Sequence, residues 1–187
     1  MDTVVVERNL LEDDARGIGF GLDDSGRVFD DDPCGAGITA AHYGGVIRNN
    51  MIVATDDGLF ASPDGMDGGI ALAWACGATV AHNTVASIAA PFASIEWRFS
   101  KTTVNLVNNL VTHDLVPRDG ATATEAGNIE LASPVEFVDL VGHDVHLDPA
   151  SNALGAGDAG GKALAPQDFD RQARPDTMPD VGADEIP

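Results

Sequence analysis

The sequence has few basic residues and almost no lysine. Ten lysines and arginines stand against 30 aspartates and glutamates, which gives a formal net charge of −20 over 187 residues, and only Lys101 and Lys162 are lysines. Binding to nucleic acid or to an anionic membrane surface depends on basic side chains that neutralise phosphates. The composition therefore argues against both kinds of partner.

Long apolar runs and cysteines are also scarce. No segment approaches the roughly 18 apolar residues that span a bilayer. The start of the chain, Met1-Asp2-Thr3, lacks the basic and apolar regions of a signal peptide. Cys34 and Cys76 are too few for a disulfide framework, and either a single bridge or two free thiols would fit the sequence. The hydrophobic fraction of 44% is sufficient for the core of one domain.

A short motif recurs along the chain. Four segments align on Asn9, Asn50, Asn83 and Asn109, and a weaker copy surrounds Asn128. In the four clear copies an aliphatic residue lies three positions before the asparagine and another lies two positions after it. The segments are short, rich in β-branched residues and flanked by glycine, aspartate and asparagine, which is typical of strands and turns. Such repetition favours a solenoid, in which like residues stack on like residues.

The asparagines are predicted to act as turn residues and as a ladder. Asparagine tolerates the left-handed backbone conformation, and its amide can bond to the amide of the next repeat. A ladder of this kind satisfies buried polar groups along the stack.

A second apolar strand follows three of the repeats, at residues 17–22, 69–74 and 94–99. Its residues alternate, so one set is expected to face the core and the other the solvent. The residues predicted to face inward are Ile18, Phe20, Leu22, Ile70, Leu72, Trp74, Ile95, Trp97 and Phe99. Those predicted to face outward include Gly19, Ala71, Glu96 and Arg98.

Two repeats and the end of the chain resemble a known family. Residues 46–52 (VIRNNMI) and 80–85 (VAHNTV), with 144–147 (DVHL), 153–157 (ALGAG) and 180–185 (DVGADE), are similar to the C-terminal part of pectate-lyase-like parallel β-helix proteins. The resemblance implies an all-β fold, a right-handed parallel β-helix solenoid of about four to five coils with an irregular C-terminal tail. Residues 1–133 would form the coils, and 134–187 the last coil and closing tail.

The same resemblance implies a carbohydrate-active protein, extracellular or at the cell surface, with a polysaccharide as its partner. One function that the resemblance implies is that of a polysaccharide lyase or a related enzyme. The alternative is a non-catalytic glycan-binding or surface-structural module, since one scaffold hosts many functions. The first repeat begins near Val4, so we expect a fragment of a longer protein, a mis-assigned start, or a first coil that needs a cap or a partner.

Candidate site residues follow from the chemistry of a lyase, which needs a cation to neutralise the substrate carboxylate and a base to remove a proton. The outward face of the second strand and a glycine-rich loop supply such groups. The candidate catalytic residues are Arg98, Lys101, His42 and Glu96, and the candidate substrate-binding residues are Tyr43, Arg118 and His82. His82 is expected on the surface. The bland interpretation of Glu96 and Arg98 is that they are solvated and pair with neighbours. The bland interpretation of the loop with His42 and Tyr43 is that it turns on its glycines and packs one aromatic ring.

A loop rich in aspartate is the candidate metal site. Asp56, Asp57, Asp64 and Asp67 offer hard oxygen ligands of the kind that Ca²⁺ prefers. Their spacing matches neither an EF-hand nor a glycine-rich calcium repeat. The alternative is a solvating, charge-rich loop, in keeping with an acidic protein that stays soluble at high salt.

Overall fold

Short strands make up most of the regular structure in the computed structural model, which describes residues 4–22, 34 and 40–187. The strands in these residues are β1 (Val5–Glu7), β2 (Leu10–Glu12), β3 (Arg16–Phe20), β4 (His42–Tyr43), β5 (Val46–Arg48), β6 (Met51–Ala54), β7 (Gly68–Ala73), β8 (Ala75–Ala81), β9 (Thr84–Ser87), β10 (Ala93–Arg98), β11 (Thr103–Val107), β12 (Leu110–Val111), β13 (Leu115–Arg118), β14 (Thr122–Ala126), β15 (Phe137–Asp139) and β16 (Asp144–Leu147). The helices are α1 (Asp57–Ala61) and α2 (Gly161–Leu164), with a 3-10 turn at Pro134–Glu136. The prediction of an all-β chain is confirmed.

Fourteen of these strands form three parallel sheets that the chain visits in rotation. The first sheet has the order β1-β5-β8-β11-β14, with β4 also paired to β8. The second has the order β2-β6-β9-β12, and the third has the order β3-β7-β10-β13. We call one passage of the chain through the three sheets a round. Each strand thus pairs with its counterparts from the neighbouring rounds. A residue at a given place in one round therefore lies beside the equivalent residue of the next.

The strand register follows the alignment on asparagine. Residues three positions before the asparagine pair in the order Val6, Ile47, Val80 and Leu106, and residues two positions after it pair in the order Leu11, Ile52, Val85 and Val111. Ile47, Ile52, Val80, Val85, Leu106 and Val111 are all buried in one core, which the inward residues of the third sheet complete. Burial of like aliphatic side chains in consecutive rounds provides the main apolar stabilisation of the stack.

The asparagine ladder runs the whole length of the stack. The side-chain nitrogens of Asn9, Asn50, Asn83 and Asn109 each donate to the side-chain oxygen of the next asparagine, at 2.9–3.0 Å, and the last acceptor is Asn128. The same oxygens accept hydrogen bonds from the backbone nitrogens of the preceding asparagines. The predicted ladder is confirmed, and so is the weak fifth copy at Asn128.

The left-handed turn lies one residue earlier than predicted. Arg8, Asn49, His82, Asn108 and Gly127, which directly precede the five asparagines, have φ values between 51° and 63°. The backbone thus turns before the ladder residue, whose side chain then bonds along the stack. The assignment of the left-handed conformation to the asparagine itself was wrong.

The inward pattern of the third sheet holds for two residues in each strand and fails at the third. Ile70, Leu72, Ile95 and Trp97 are at most 2% exposed. Leu22, by contrast, is 79% exposed. Trp74 and Phe99 have φ values of 53° and 72° and stack on each other, with 4.7 Å between ring centroids. The prediction was wrong for these three residues because β3, β7 and β10 end before them, so strict alternation no longer applies.

The C-terminal segment is more regular than predicted and covers the second sheet. β15 and β16 form an antiparallel hairpin. Apolar residues of the hairpin and of the chain end pack on outward residues of the second sheet: Phe137, Leu140, Val145, Leu147, Val181 and Ala183 lie in one cluster with Met51, Val53, Ala86 and Leu110. Within the described residues, no helix has the length and apolar character needed to cross a membrane.

The two cysteines form a disulfide. Cys34 and Cys76 have Cα atoms 6.2 Å apart, and Cys76 is on β8. Ala40, Tyr43 and Cys76 form a small buried cluster with Cys34 packed against it. Of the two alternatives that the sequence left open, the structure therefore has the bridge.

Candidate functional site

A groove of about 520 Å³ lies along the outer face of the third sheet. Strand alternation directs every second side chain of β3, β7, β10 and β13 to this face. The residues that line the groove are Arg16, Gly17, Ile18, Gly19, Gly21, Leu22, Asp67, Gly68, Ile70, Ala71, Ala73, Phe92, Glu96, Arg98, Phe99 and Arg118. We call this feature the outer groove.

The floor and wall of the outer groove follow from the strand register. Gly19 pairs with Ala71, which pairs with Glu96 in the next round. Ala73 pairs with Arg98, which pairs with Arg118. Small residues on the early rounds leave a shallow floor, whereas long charged residues on the later rounds build a wall beside it. The residues predicted to face outward, Gly19, Ala71, Glu96 and Arg98, thus change from small to charged along this face.

Ion pairs tie the wall together. Arg118 Nη1 lies 3.3 Å from Glu96 Oε2, and Arg98 Nε lies 3.7 Å from Glu96 Oε1. Arg98 Nη2 donates to Asp119 Oδ2 at 3.2 Å. The Glu96 side chain is 15% exposed, whereas those of Arg98 and Arg118 are 34% and 36% exposed. The carboxylate is therefore held between two guanidinium groups that still reach solvent.

Aromatic rings support both arginines. The Arg98 guanidinium lies 4.4 Å from the Phe99 ring centroid, and that of Arg118 lies 4.7 Å from the Phe92 ring centroid. Phe92 is 53% exposed. Stacking of a planar guanidinium on a ring restricts its orientation, so the donors of both arginines are presented in a defined geometry.

The outer groove is close to neutral, unlike the acidic protein as a whole. Asp67, Glu96 and Asp119 pair with its three arginines, Arg16, Arg98 and Arg118. These arginines are three of only ten basic residues in a chain of net charge −20. A ligand that carries negative or strongly hydrogen-bonding groups is therefore better accommodated here than on the acidic surface elsewhere.

Of the predicted catalytic residues, Arg98 and Glu96 meet in the outer groove, with the predicted binding residue Arg118. Lys101 does not line the groove, and its Nζ lies 5.3 Å from the Trp74 ring centroid, at the corner where Trp74 stacks on Phe99.

His42 and Tyr43 lie on β4, which pairs with β8 in the first sheet, and they do not line the groove. The His42 ring stacks on Phe20 with centroids 4.1 Å apart, and burial lowers the pKa of His42. Tyr43 is 8% exposed, and its hydroxyl accepts a hydrogen bond from the backbone nitrogen of Ala40. The structure thus gives both rings packing roles, in line with the bland interpretation of this loop.

His82 lies in the interior, so the prediction of a surface histidine was wrong. It is 0% exposed, and its Nε2 lies 3.0 Å from Asn108 Nδ2. Burial, together with the nearby charge of Arg174, lowers its pKa to about 3. The C-terminal segment covers this turn: Gly161 and the buried Arg174 pack around it, so the ring has no access to a ligand in solution.

The predicted calcium ligands have separate local roles. Asp56 caps α1 by accepting a hydrogen bond from the backbone nitrogen of Gly58, and Asp67 pairs with Arg16 at 3.3 Å. Asp57 and Asp64 are exposed. These four side chains do not form a cation-sized cluster in the structure. The acidic residues at 23–24 and 30–32 lie outside the described residues.

A second group of polar side chains lies on the C-terminal segment. His146, Asp170 and Asp184 have potential ligand atoms within 4.8 Å of one another. Burial alone would lower the pKa of His146, but the hydrogen bond to Asp144 and the charges of Asp184, Asp144 and Asp170 raise it. Sequence reasoning missed this cluster, because its members lie far apart in the chain and show no metal-ligand spacing.

Comparisons with protein-family models, with curated proteins and with solved structures find no match for this chain.

Proposed function

We propose that the protein binds a polysaccharide in the outer groove and that its three sheets form a right-handed parallel β-helix of the pectate-lyase-like kind. The observation that carries the binding function is the pair of stacked arginines, Arg98 and Arg118, beside a floor of small residues in an otherwise strongly acidic protein.

The β-helix proposal is supported by the path of the chain. Strands enter the first, second and third sheets in turn and then return to the first, and every pairing between rounds is parallel. The asparagine ladder at one corner supports it further, since a ladder requires the same turn in each round.

The carbohydrate proposal is supported by the chemistry of the groove. Guanidinium groups donate paired hydrogen bonds that match carboxylates and neighbouring oxygens. The exposed Phe92 offers apolar surface, and Gly19 and Ala71 leave room for a chain that lies across the strands. The volume falls within the range of roughly 300–1,000 Å³ typical of ligand sites. An extracellular or cell-surface location agrees with the disulfide, because such bridges persist in oxidising compartments.

Binding without cleavage is the better-supported form of this function. A lyase needs a base beside the neutralising cation. Lys101 does not line the groove, His42 is packed on Phe20, and Glu96 is engaged by two arginines. The second candidate function is a polysaccharide lyase, favoured by the arrangement of Arg98 and Arg118, which suits neutralisation of a substrate carboxylate.

The test is calorimetric titration of the full chain with neutral and uronate oligosaccharides, each with and without Ca²⁺. We expect saturable binding, weakened about tenfold or more in Arg118→Gln, because one charge-assisted hydrogen bond contributes about 1.5–3 kcal/mol. Arg171→Gln is the matched control, since it removes the same charge from an exposed position outside the groove. Equal affinities of the two variants, or no binding to any sugar, would contradict the proposal.

The same samples distinguish the two candidate functions. Incubation with each polysaccharide is followed by the absorbance of unsaturated products. The binding function predicts no product. Product that disappears in Arg98→Gln would instead identify a lyase that uses this groove.

A further inference from the structure

The cluster at the C-terminal segment brings together three parts of the chain that are distant in sequence. His146 is on β16, Asp170 lies in the turn after Asp168, and Asp184 belongs to the final buried segment. His146 is half-buried, Asp170 is exposed and Asp184 is 6% exposed. The cluster therefore opens to solvent on one side and rests on the protein interior on the other.

The distances are close to those of a metal coordination sphere. His146 Nε2 lies 3.0 Å from Asp170 Oδ2, and the ligand atoms of His146, Asp170 and Asp184 all lie within 4.8 Å of one another. Ligands at about 2.1 Å from one cation stand about 3.0–3.4 Å apart in octahedral or tetrahedral geometry. The Asp170 side chain is exposed, so it is free to adjust toward this spacing.

The surroundings orient two of the three ligands. Asp144 Oδ1 lies 2.6 Å from His146 Nδ1, which leaves Nε2 directed at Asp170. Asp184 Oδ2 accepts a hydrogen bond from the backbone nitrogen of Leu147. A carboxylate on the far nitrogen of a histidine is the usual outer partner of a metal-bound imidazole, because it fixes the ring and raises its basicity.

The charge balance also favours a cation. Asp144, Asp170 and Asp184 surround one imidazole, and no lysine or arginine in the described part of the chain pairs with these carboxylates. The nearby Arg174 pairs with Glu185 instead. A mixed set of one imidazole and two carboxylates suits a divalent transition ion such as Zn²⁺ better than Ca²⁺, which prefers oxygen ligands alone.

We propose that His146, Asp170 and Asp184 bind one Zn²⁺ ion, with Asp144 as the outer partner of His146. The ion joins the β15–β16 hairpin to the last segment of the chain and so stabilises the packing of the C-terminal segment on the second sheet. This site is separate from the outer groove, and its test does not depend on sugar binding.

The experiment uses the full, untagged chain after removal of metals with a chelator. Titration calorimetry with Zn²⁺ is expected to give one site per chain, and a thermal scan is expected to give a higher unfolding temperature with Zn²⁺ present. Asp170→Asn, a change at an exposed residue, should weaken binding at least tenfold. Asp144→Asn should weaken it about 10–100-fold, as removal of an outer partner does.

A matched control is available at His143. Its ring nitrogens also lie near two carboxylates, Glu12 at 3.1 Å and Asp13 at 3.3 Å, but these three do not form a cation-sized cluster. His143→Gln should therefore bind Zn²⁺ as the wild type does, whereas His146→Gln should lose the site. Unchanged binding in His146→Gln, an equal loss in His143→Gln, or no binding by the wild type would overturn the proposal.

Discussion

Removal of one asparagine from the ladder tests the stacking of the rounds. Asn83 is 0% exposed and lies in the middle of the ladder. Its side chain takes part in five hydrogen bonds: it accepts two from Asn50, and it donates to Ile47 O, Ala81 O and Asn109 Oδ1. Asn83→Ala deletes all five and leaves the backbone nitrogen of Asn50 buried without its acceptor.

The expected loss of stability follows from these contacts. A buried donor left without a partner costs about 1–3 kcal/mol, and each lost hydrogen bond contributes a net of about 1 kcal/mol where the partner has no replacement. Some partners keep another bond: Asn109 Oδ1 still accepts from the backbone nitrogen of residue 83, and Ala81 O still accepts from Asn49. We therefore expect Asn83→Ala to lower the free energy of unfolding by about 3 kcal/mol.

Asn9→Ala is the matched control. Asn9 stands at the exposed end of the ladder, where its side chain donates to Asn50 Oδ1 and Glu7 O, and water can replace both bonds. We expect it to cost less than about 1 kcal/mol.

Urea unfolding of both variants, followed by tryptophan fluorescence with the disulfide intact, measures the two free energies. Equal losses in the two variants, or a loss below about 0.5 kcal/mol in Asn83→Ala, would refute the reasoning that burial of the ladder gives it its stabilising effect.

Two further predictions concern His82 and the disulfide. The pKa of His82 is lowered to about 3 in the folded chain, so between about pH 3 and about pH 6.5 only the unfolded chain takes up the proton. The contribution of the neutral His82 ring to stability is therefore complete above about pH 6.5 and is lost as the pH falls. Lowering the pH from about 8 to about 5 should therefore cost the wild type about 2 kcal/mol more than His82→Asn, measured by urea unfolding at each pH, and parallel pH profiles would contradict this. Reduction of the Cys34–Cys76 bridge, which spans 42 residues, should lower stability by about 4 kcal/mol through the regained freedom of the unfolded chain. A Cys76→Ser variant should show the same loss of stability, and reductant should have no further effect on it. If reductant still lowered the stability of this variant, its effect could not be attributed to the Cys34–Cys76 bridge.

Local periodicity predicted much of the fold. The alignment on asparagine predicted which aliphatic residues pair between rounds, as with Ile47 and Val80, and it predicted the ladder. These predictions succeeded because each round repeats the same backbone path, so equal positions in the motif become neighbours. Strand alternation in the third sheet likewise predicted that Glu96 and Arg98 face outward, and in the structure they lie beside Ala71 and Ala73.

The predictions of side-chain direction and turn position failed at residues where regular strands end. Alternation predicted that Trp74 and Phe99 point inward, but both lie just beyond a strand in the left-handed conformation and stack on each other. The same limit applies to the left-handed turn, which falls on His82 rather than on Asn83. A pattern of period two describes a strand and carries no information about the turn that follows it.

The sequence by itself determined the strands around the repeated asparagines, their register, the ladder and the row of small and charged residues along one face, because these depend on residues that repeat at matched positions. Tertiary structure alone decided the burial of His82, the stacking of Arg98 and Arg118 on aromatic rings, and the meeting of His146 with Asp170 and Asp184. Each of these depends on how segments without a shared repeat pack together. Contacts of that kind are set by the shape and burial of the whole chain, which no local pattern encodes.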